Sequence, residues 1–169
     1  PWAVEHLQQV VAQIDSELHI ATQLLFVDDG SRDATWQLIE QTAEKYDNVE
    51  GLKLAHNVGH QNALWAGMNE SIGHCDAMVS IDADLQDDPF AIVDMARQFV
   101  EGKDIVYGVR RERKTDTWFK RVSALGFYRV MRAVDKEIVY NHADFRLMSA
   151  RAAEALMQYP EPVSYTHLT

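Results

Sequence analysis

Four aspartates crowd residues 82–88, in the run Asp82-Ala83-Asp84-Leu85-Gln86-Asp87-Asp88, directly after the apolar stretch Ala77-Met78-Val79-Ser80-Ile81. Carboxylates packed this closely repel one another, so the loop is either fully solvated or shared with a cation. Spacing separates the aspartates into two pairs. In extended backbone, residues i and i+2 point to the same side, so Asp82 and Asp84 can face one ion. Asp87 and Asp88 instead precede Pro89, where they favour the positive end of the helix that a proline opens. Oxygen-only donors suit Mg²⁺ or Mn²⁺, hard cations that keep water and phosphate among their ligands. A calcium loop of the EF-hand kind is the nearest competitor. It fails at its sixth position, Asp87 in place of glycine, and at its twelfth, Val93 in place of glutamate.

Two further polar clusters have the same relation to an apolar run. Thr22–Val27 leads into Asp28-Asp29-Gly30-Ser31-Arg32-Asp33, and Asp104–Tyr107 leads into Gly108-Val109-Arg110. Asp28 and Asp29 read equally as a turn with a helix cap or as acceptors for the donor groups of a base or ribose. Asn57-Val58-Gly59-His60-Gln61 opens a helical stretch. Its amides either meet a ligand or are capped by the protein itself. No glycine-rich phosphate loop of the dinucleotide or P-loop type occurs, and no nucleophilic triad is suggested by spacing. The histidines have no metal-ligand spacing, and no role follows for them. Cys75, the single cysteine, reads as a small residue entering a strand.

These clusters need a scaffold that brings strand ends together. Apolar helical periodicity runs through Val4, Leu7, Val10, Val11 and Ile14. Short strands are expected at 22–27, 49–55, 77–81 and 104–109. Helices are expected at 33–46 (capped by Ser31 or Asp33), 59–72, 89–100, 116–134 and 150–158. Strands alternating with helices imply right-handed βαβ units and a mostly parallel, Rossmann-like α/β sheet flanked by helices. In such sheets ligands lie beyond the carboxyl ends of the strands, where all three polar clusters fall. Residues 1–159 are expected to form one domain whose first strand is missing. Residues 160–169 lack periodicity and remain unassigned, as a foreign or disordered tail.

The net charge of −10 disfavours a nucleic-acid partner. Basic residues nevertheless gather at Arg110, Arg111, Arg113, Lys114, Lys120, Arg121, Arg129 and Arg132, against only Glu112 and Asp116 in that stretch. This is either a solvated helix face or a contact for an anion or a membrane surface. No stretch is long and apolar enough for a transmembrane helix.

The segments LLFVDDGSRDAT, HNVGHQNALWAG, DAMVSIDADLQDDP, DIVYGVRRER, FYRVMR and DFRLMS occur in this order. Together they resemble the family 2 glycosyltransferases of the GT-A fold, and within them the polyprenyl-phosphate glycosyltransferases. The resemblance covers about residues 22–158. It implies metal-dependent, inverting transfer of a sugar from a UDP- or GDP-linked donor to a polyprenyl phosphate at the cytoplasmic face of a membrane. It implies nucleotide contacts from Asp28, Asp29, Asn57 and Gly59, and a Mg²⁺ or Mn²⁺ site from Asp82, Asp84 and Gln86. Arg110, Arg121, Ser123 and Arg146 would meet the acceptor phosphate, with Asp144 and Arg110 at the reacting centre. Asp144 is then either a base or a positioning group. A transferase acting on a glycan hydroxyl and a truncated remnant that binds nucleotide without turnover are the competing readings. The resemblance also implies that the chain is a fragment, lacking the first strand and any membrane helices that follow.

Overall fold

The computed structural model describes residues 2–109 and 142–158, the side chains of 109 and 142–144 excepted. The expected helix over 116–134, the basic cluster, Arg110, Arg121, Ser123 and the tail lie outside the described residues.

The helices and strands fall close to the expected positions, with β5, for which no strand is expected, as the exception. Helix α1 (Trp2–Leu18) is followed by strand β1 (Leu24–Asp28), helix α2 (Thr35–Lys45), strand β2 (Val49–Lys53) and helix α3 (His60–Ser71). Then come β3 (Ala77–Ser80), α4 (Ala91–Val100), β4 (Ile105–Val109), β5 (His142–Ser149) and a last helix, α5 (Ala150–Met157). Asp33 starts α2 by accepting a hydrogen bond from the Thr35 amide at 3.0 Å. Asp88 does the same for Phe90 at 3.0 Å, just ahead of α4.

The core joins two helices to one sheet. Leu7, Val10 and Ile14 line one stripe of α1, at the spacing its periodicity requires. They pack with Ile92, Val93 and Met95 of α4 against Val106 of β4 and Phe145 and Leu147 of β5. Arg97 of α4 ties the two helices at the surface by pairing with Glu17 of α1 and with Asp94.

Strand pairing is parallel for β1 and β2, with Leu24 opposite Val49 and Asp28 opposite Lys53. In the other sheet the order is β3-β5-β4, and β5 runs antiparallel to both neighbours. Thus β3 and β4 share a direction, as βαβ connections demand, and β5 is inserted between them against it. Among the described residues β1 pairs only with β2, and β3 only with β5. Helix α3 packs on both β1 and β3 and so links the two sheets. Its contact with β1 runs through Gly67, where a Cβ would lie 2.8 Å from Val27 Cγ2.

The β5–α5 junction is held by one side chain. Ser149 Oγ accepts from the Ala152 amide at 3.2 Å and donates to Asp104 Oδ1 at 2.8 Å. Arg151 pairs with the same Asp104. First Arg151 and then Ser149 hold the Asp104 carboxyl below its usual range. A depressed carboxyl stabilises the fold above its ordinary titration range, and that contribution is lost as the pH falls through the lowered value. Ser149→Ala removes the cap and one Asp104 partner, with an expected loss of about 1–2 kcal/mol by urea denaturation. An unchanged midpoint would mean that the cap is not formed.

Candidate functional site

Three loops meet at one edge. Asp28 ends β1 and is buried, only 2 % exposed. Its Oδ1 accepts from the Ser31 amide at 3.1 Å, closing the turn. Its Oδ2 is also buried and meets no hydrogen-bond donor among the described residues. A buried carboxylate oxygen without a donor is costly. The arrangement therefore calls for a donor from elsewhere.

Asp29 turns the other way. Its Oδ1 accepts from the Val58 amide at 2.7 Å and its Oδ2 from the Gly59 amide at 3.0 Å. The Asn57 side-chain amide donates to the Asp29 carbonyl at 3.1 Å. The amides ahead of α3 are thus capped by the protein's own carboxylate, and Asn57 joins the same link. Gly59, the residue before α3, has φ +87° and needs glycine's freedom there.

The third loop holds the aspartates after β3. Asp82, Asp84 and Gln86 are all exposed. The Asp82 carbonyl accepts from the Leu85 amide at 3.0 Å, and Leu85 takes a left-handed conformation at φ 49°. Asp84 accepts from the Gln86 amide at 3.2 Å and from its side-chain nitrogen at 2.8 Å. His60, the first residue of α3, brings its Nε2 within 3.9 Å of Asp82 Oδ1, an ion pair when the ring is protonated. Sequence reasoning gave His60 no role. Its approach to Asp82 depends on α3 packing against both β1 and β3, which no local spacing carries.

Asp87 is buried, 6 % exposed, unlike Asp82 and Asp84. Among the described residues no three His, Cys, Asp or Glu side chains are grouped to hold a metal. The donor set at this tip is therefore two exposed carboxylates. It suits a cation that takes one or two protein carboxylates and fills its shell with water and diphosphate, the habit of Mg²⁺.

Strand β5 points its start at the same edge. Ser80, at the end of β3, is opposite Arg146, which is buried at 5 % exposure. Because the strands run antiparallel, the backbone of Asp144 lies two residues further toward the Asp82 tip. Cys75 is not part of this edge. Burial, with the Asp76 charge second, pushes its thiol up, and its Sγ donates to the Ser71 carbonyl at 3.4 Å. That is a structural sulfur.

A mixed α/β domain with acidic strand ends gathered at one edge offers a ligand site beyond the carboxyl ends of its strands. The family model described as glycosyl transferase family 2 matches residues 4–157. The chain belongs to glycosyl transferase family 2. It is 54 % identical over 157 residues to an uncharacterized glycosyltransferase, YkoT, of Bacillus subtilis, an alignment covering 92 % of this chain and 47 % of the relative. It is 32 % identical over 160 residues to a prophage bactoprenol glucosyl transferase homolog of Escherichia coli, covering 94 % of this chain and 52 % of that one. Identity to the bactoprenol glucosyl transferase of Shigella phage SfV is 36 % over 140 residues, covering 82 % and 45 %. The chain spans about half the length of the curated relatives it matches.

Proposed function

We propose that this chain carries the donor-binding half of an enzyme that transfers a sugar, with inversion, from a UDP- or GDP-linked donor to a polyprenyl phosphate. The observation that carries this reading is the meeting of the Asp28–Asp29 turn, the 56–60 loop and the Asp82–Asp84 tip at one edge. Family membership and relatives named bactoprenol glucosyl transferase point the same way.

In this reading the base or ribose of the donor supplies the donor group that Asp28 Oδ2 lacks among the described residues. Asp82 and Asp84 hold Mg²⁺ or Mn²⁺, with Gln86 orienting Asp84. The cation, when bound, neutralises charge developing on the departing diphosphate. The acceptor phosphate oxygen bonds to the anomeric carbon from the side opposite that diphosphate, which leaves with the electron pair of the broken bond. A phosphate is already an anion at neutral pH, so no strong base is obligatory. Asp144 and Arg146, on β5, then serve to position the acceptor. Arg110, Arg121 and Ser123, outside the described residues, complete the acceptor side, and the basic residues around them face an anionic membrane surface. Among the described residues no helix is long and apolar enough to cross a membrane.

The same reading includes a further strand between β1 and β3. Its support is that each of these strands has one edge without a strand partner among the described residues. Leu24, Phe26, Ala77 and Val79 on them are also only partly buried although apolar.

A thermal-shift panel tests the donor half. The chain is heated with Mn²⁺ and each of UDP, GDP, CDP, ADP and TDP, beside an Asp82→Asn/Asp84→Asn variant. A ligand at one hundred times its Kd stabilises the native state by about 2.7 kcal/mol. For a chain of this length that is a rise of roughly 5–10 °C. One diphosphate is expected to give that rise with the metal, and the variant is expected to lose it. A shift retained in the variant would remove Asp82 and Asp84 from the metal site.

A further inference from the structure

The two adjacent aspartates at the end of β1 have different partners, and the difference is a matter of geometry. Asp28 keeps one oxygen free of any described donor, whereas Asp29 has an amide on each oxygen. Those amides belong to residues 29 and 30 positions further along the chain. They are donors that precede α3 with no partner inside the helix. A carboxylate there also complements the positive end of the helix. Around this contact the two loops are in backbone contact, since a Cβ on Gly30 would lie 2.6 Å from the Asn57 nitrogen and 2.7 Å from the His56 carbonyl carbon. The next residue of α3 is His60, whose ring approaches Asp82.

We infer that Asp29 is a positioning residue: its carboxylate clamps the 56–59 loop onto the tip of β1, and thereby fixes where α3 starts and where His60 meets the Asp82 tip. A second consequence concerns the donor, and it rests on the reading given under Proposed function. The start of α3 is an anion site already filled by the protein's own carboxylate. A donor diphosphate is therefore received at the Asp82–Asp84 tip and not on the Val58 and Gly59 amides.

Amide hydrogen exchange and binding, measured on the same chain, test this. In Asp29→Asn the neutral amide offers one acceptor oxygen and turns an N–H₂ group toward the other backbone N–H. The Val58 and Gly59 amides are expected to exchange at least about tenfold faster, the scale of losing a hydrogen bond to a charged group. Met68, two turns further into α3, and Ser31, held by Asp28, keep their rates. In calorimetric titrations below the melting temperature of both proteins, the Mg²⁺ complex of the best nucleotide from UDP, GDP, CDP, ADP and TDP binds the variant roughly tenfold more weakly. Adding that complex to the unsubstituted chain leaves the Val58 and Gly59 amides protected by the carboxylate, with the larger changes at residues 82–86. Unchanged exchange in the variant would overturn the clamp. Faster exchange with unchanged nucleotide affinity would reduce it to a local structural link. If the unsubstituted chain binds none of the five nucleotides, the donor reading fails, and the exchange rates still decide the clamp.

Discussion

Gly30→Ala is expected to destabilise the chain by about 2–5 kcal/mol, a sum of two independent penalties. The first is conformational. Gly30 has φ +69°, and a residue with a Cβ pays about 1–2 kcal/mol in that left-handed region. The second is steric and harder to relieve. The added Cβ would meet backbone atoms of His56 and Asn57 at 2.6–3.1 Å, and backbone cannot rotate away as a side-chain tip can. The 56–59 loop must therefore move, and Asp29 loses its aim at Val58 and Gly59. A melting temperature lower by roughly 5–15 °C follows for a chain of this size. Gly73 supplies the control, with φ +83° and nothing within 4 Å of its would-be Cβ. Gly73→Ala pays the conformational penalty alone, about 1–2 kcal/mol. Equal losses in the two variants would mean that the loops at the site are not in contact as described.

Strands β1 and β3 were readable because each is a short unbroken apolar run, as a strand covered on both faces must be. Leu24–Val27 and Ala77–Val79 are of this kind. Strand β5 was not readable. His142-Ala143-Asp144-Phe145-Arg146-Leu147-Met148-Ser149 puts charged residues within the strand, and it follows a segment with no turn signal of its own. It is nonetheless central, with Arg146 buried between Ser80 of β3 and Tyr107 of β4 in the ladder. An antiparallel strand inserted between parallel neighbours depends on contacts distant in sequence, which local pattern does not carry. The site divides in the same way. That Asp28, Asp29, Asp82 and Asp84 lie at strand ends follows from where the apolar runs stop. That Asp28 is buried while Asp29 turns to the 56–59 loop depends on partners about thirty residues away, and no spacing rule contains it.

Phe145→Ala is expected to cost about 3–5 kcal/mol, the range for deleting a buried phenylalanine ring. Phe145 is 4 % exposed and belongs to the cluster that joins α1 and α4 to the sheet. Native chains are stable by only about 5–15 kcal/mol, so this one change removes a large share of the total. The structure also specifies how a second substitution would interact with it. Gly108 of β4 leaves room for the ring: a Cβ there would lie 2.3 Å from Phe145 Cδ1, 2.9 Å from Phe145 Cε1 and 2.9 Å from Met95 Cε. By itself Gly108→Ala overpacks the core, at about 1–3 kcal/mol. In the Phe145→Ala background two of those three contacts are gone, and the added methyl occupies part of the cavity. The double variant should then be more stable than the sum of the single losses implies, by a coupling of about 1–3 kcal/mol. Additive losses would show that Gly108 and Phe145 do not share that space. The consequence reaches the site because Phe145 lies between Asp144 and Arg146 on one strand. Seating its ring against Gly108 fixes the register in which β5 arrives at the Asp82 edge, so a core contact sets the placement of Asp144 and Arg146, the two residues proposed to position the acceptor.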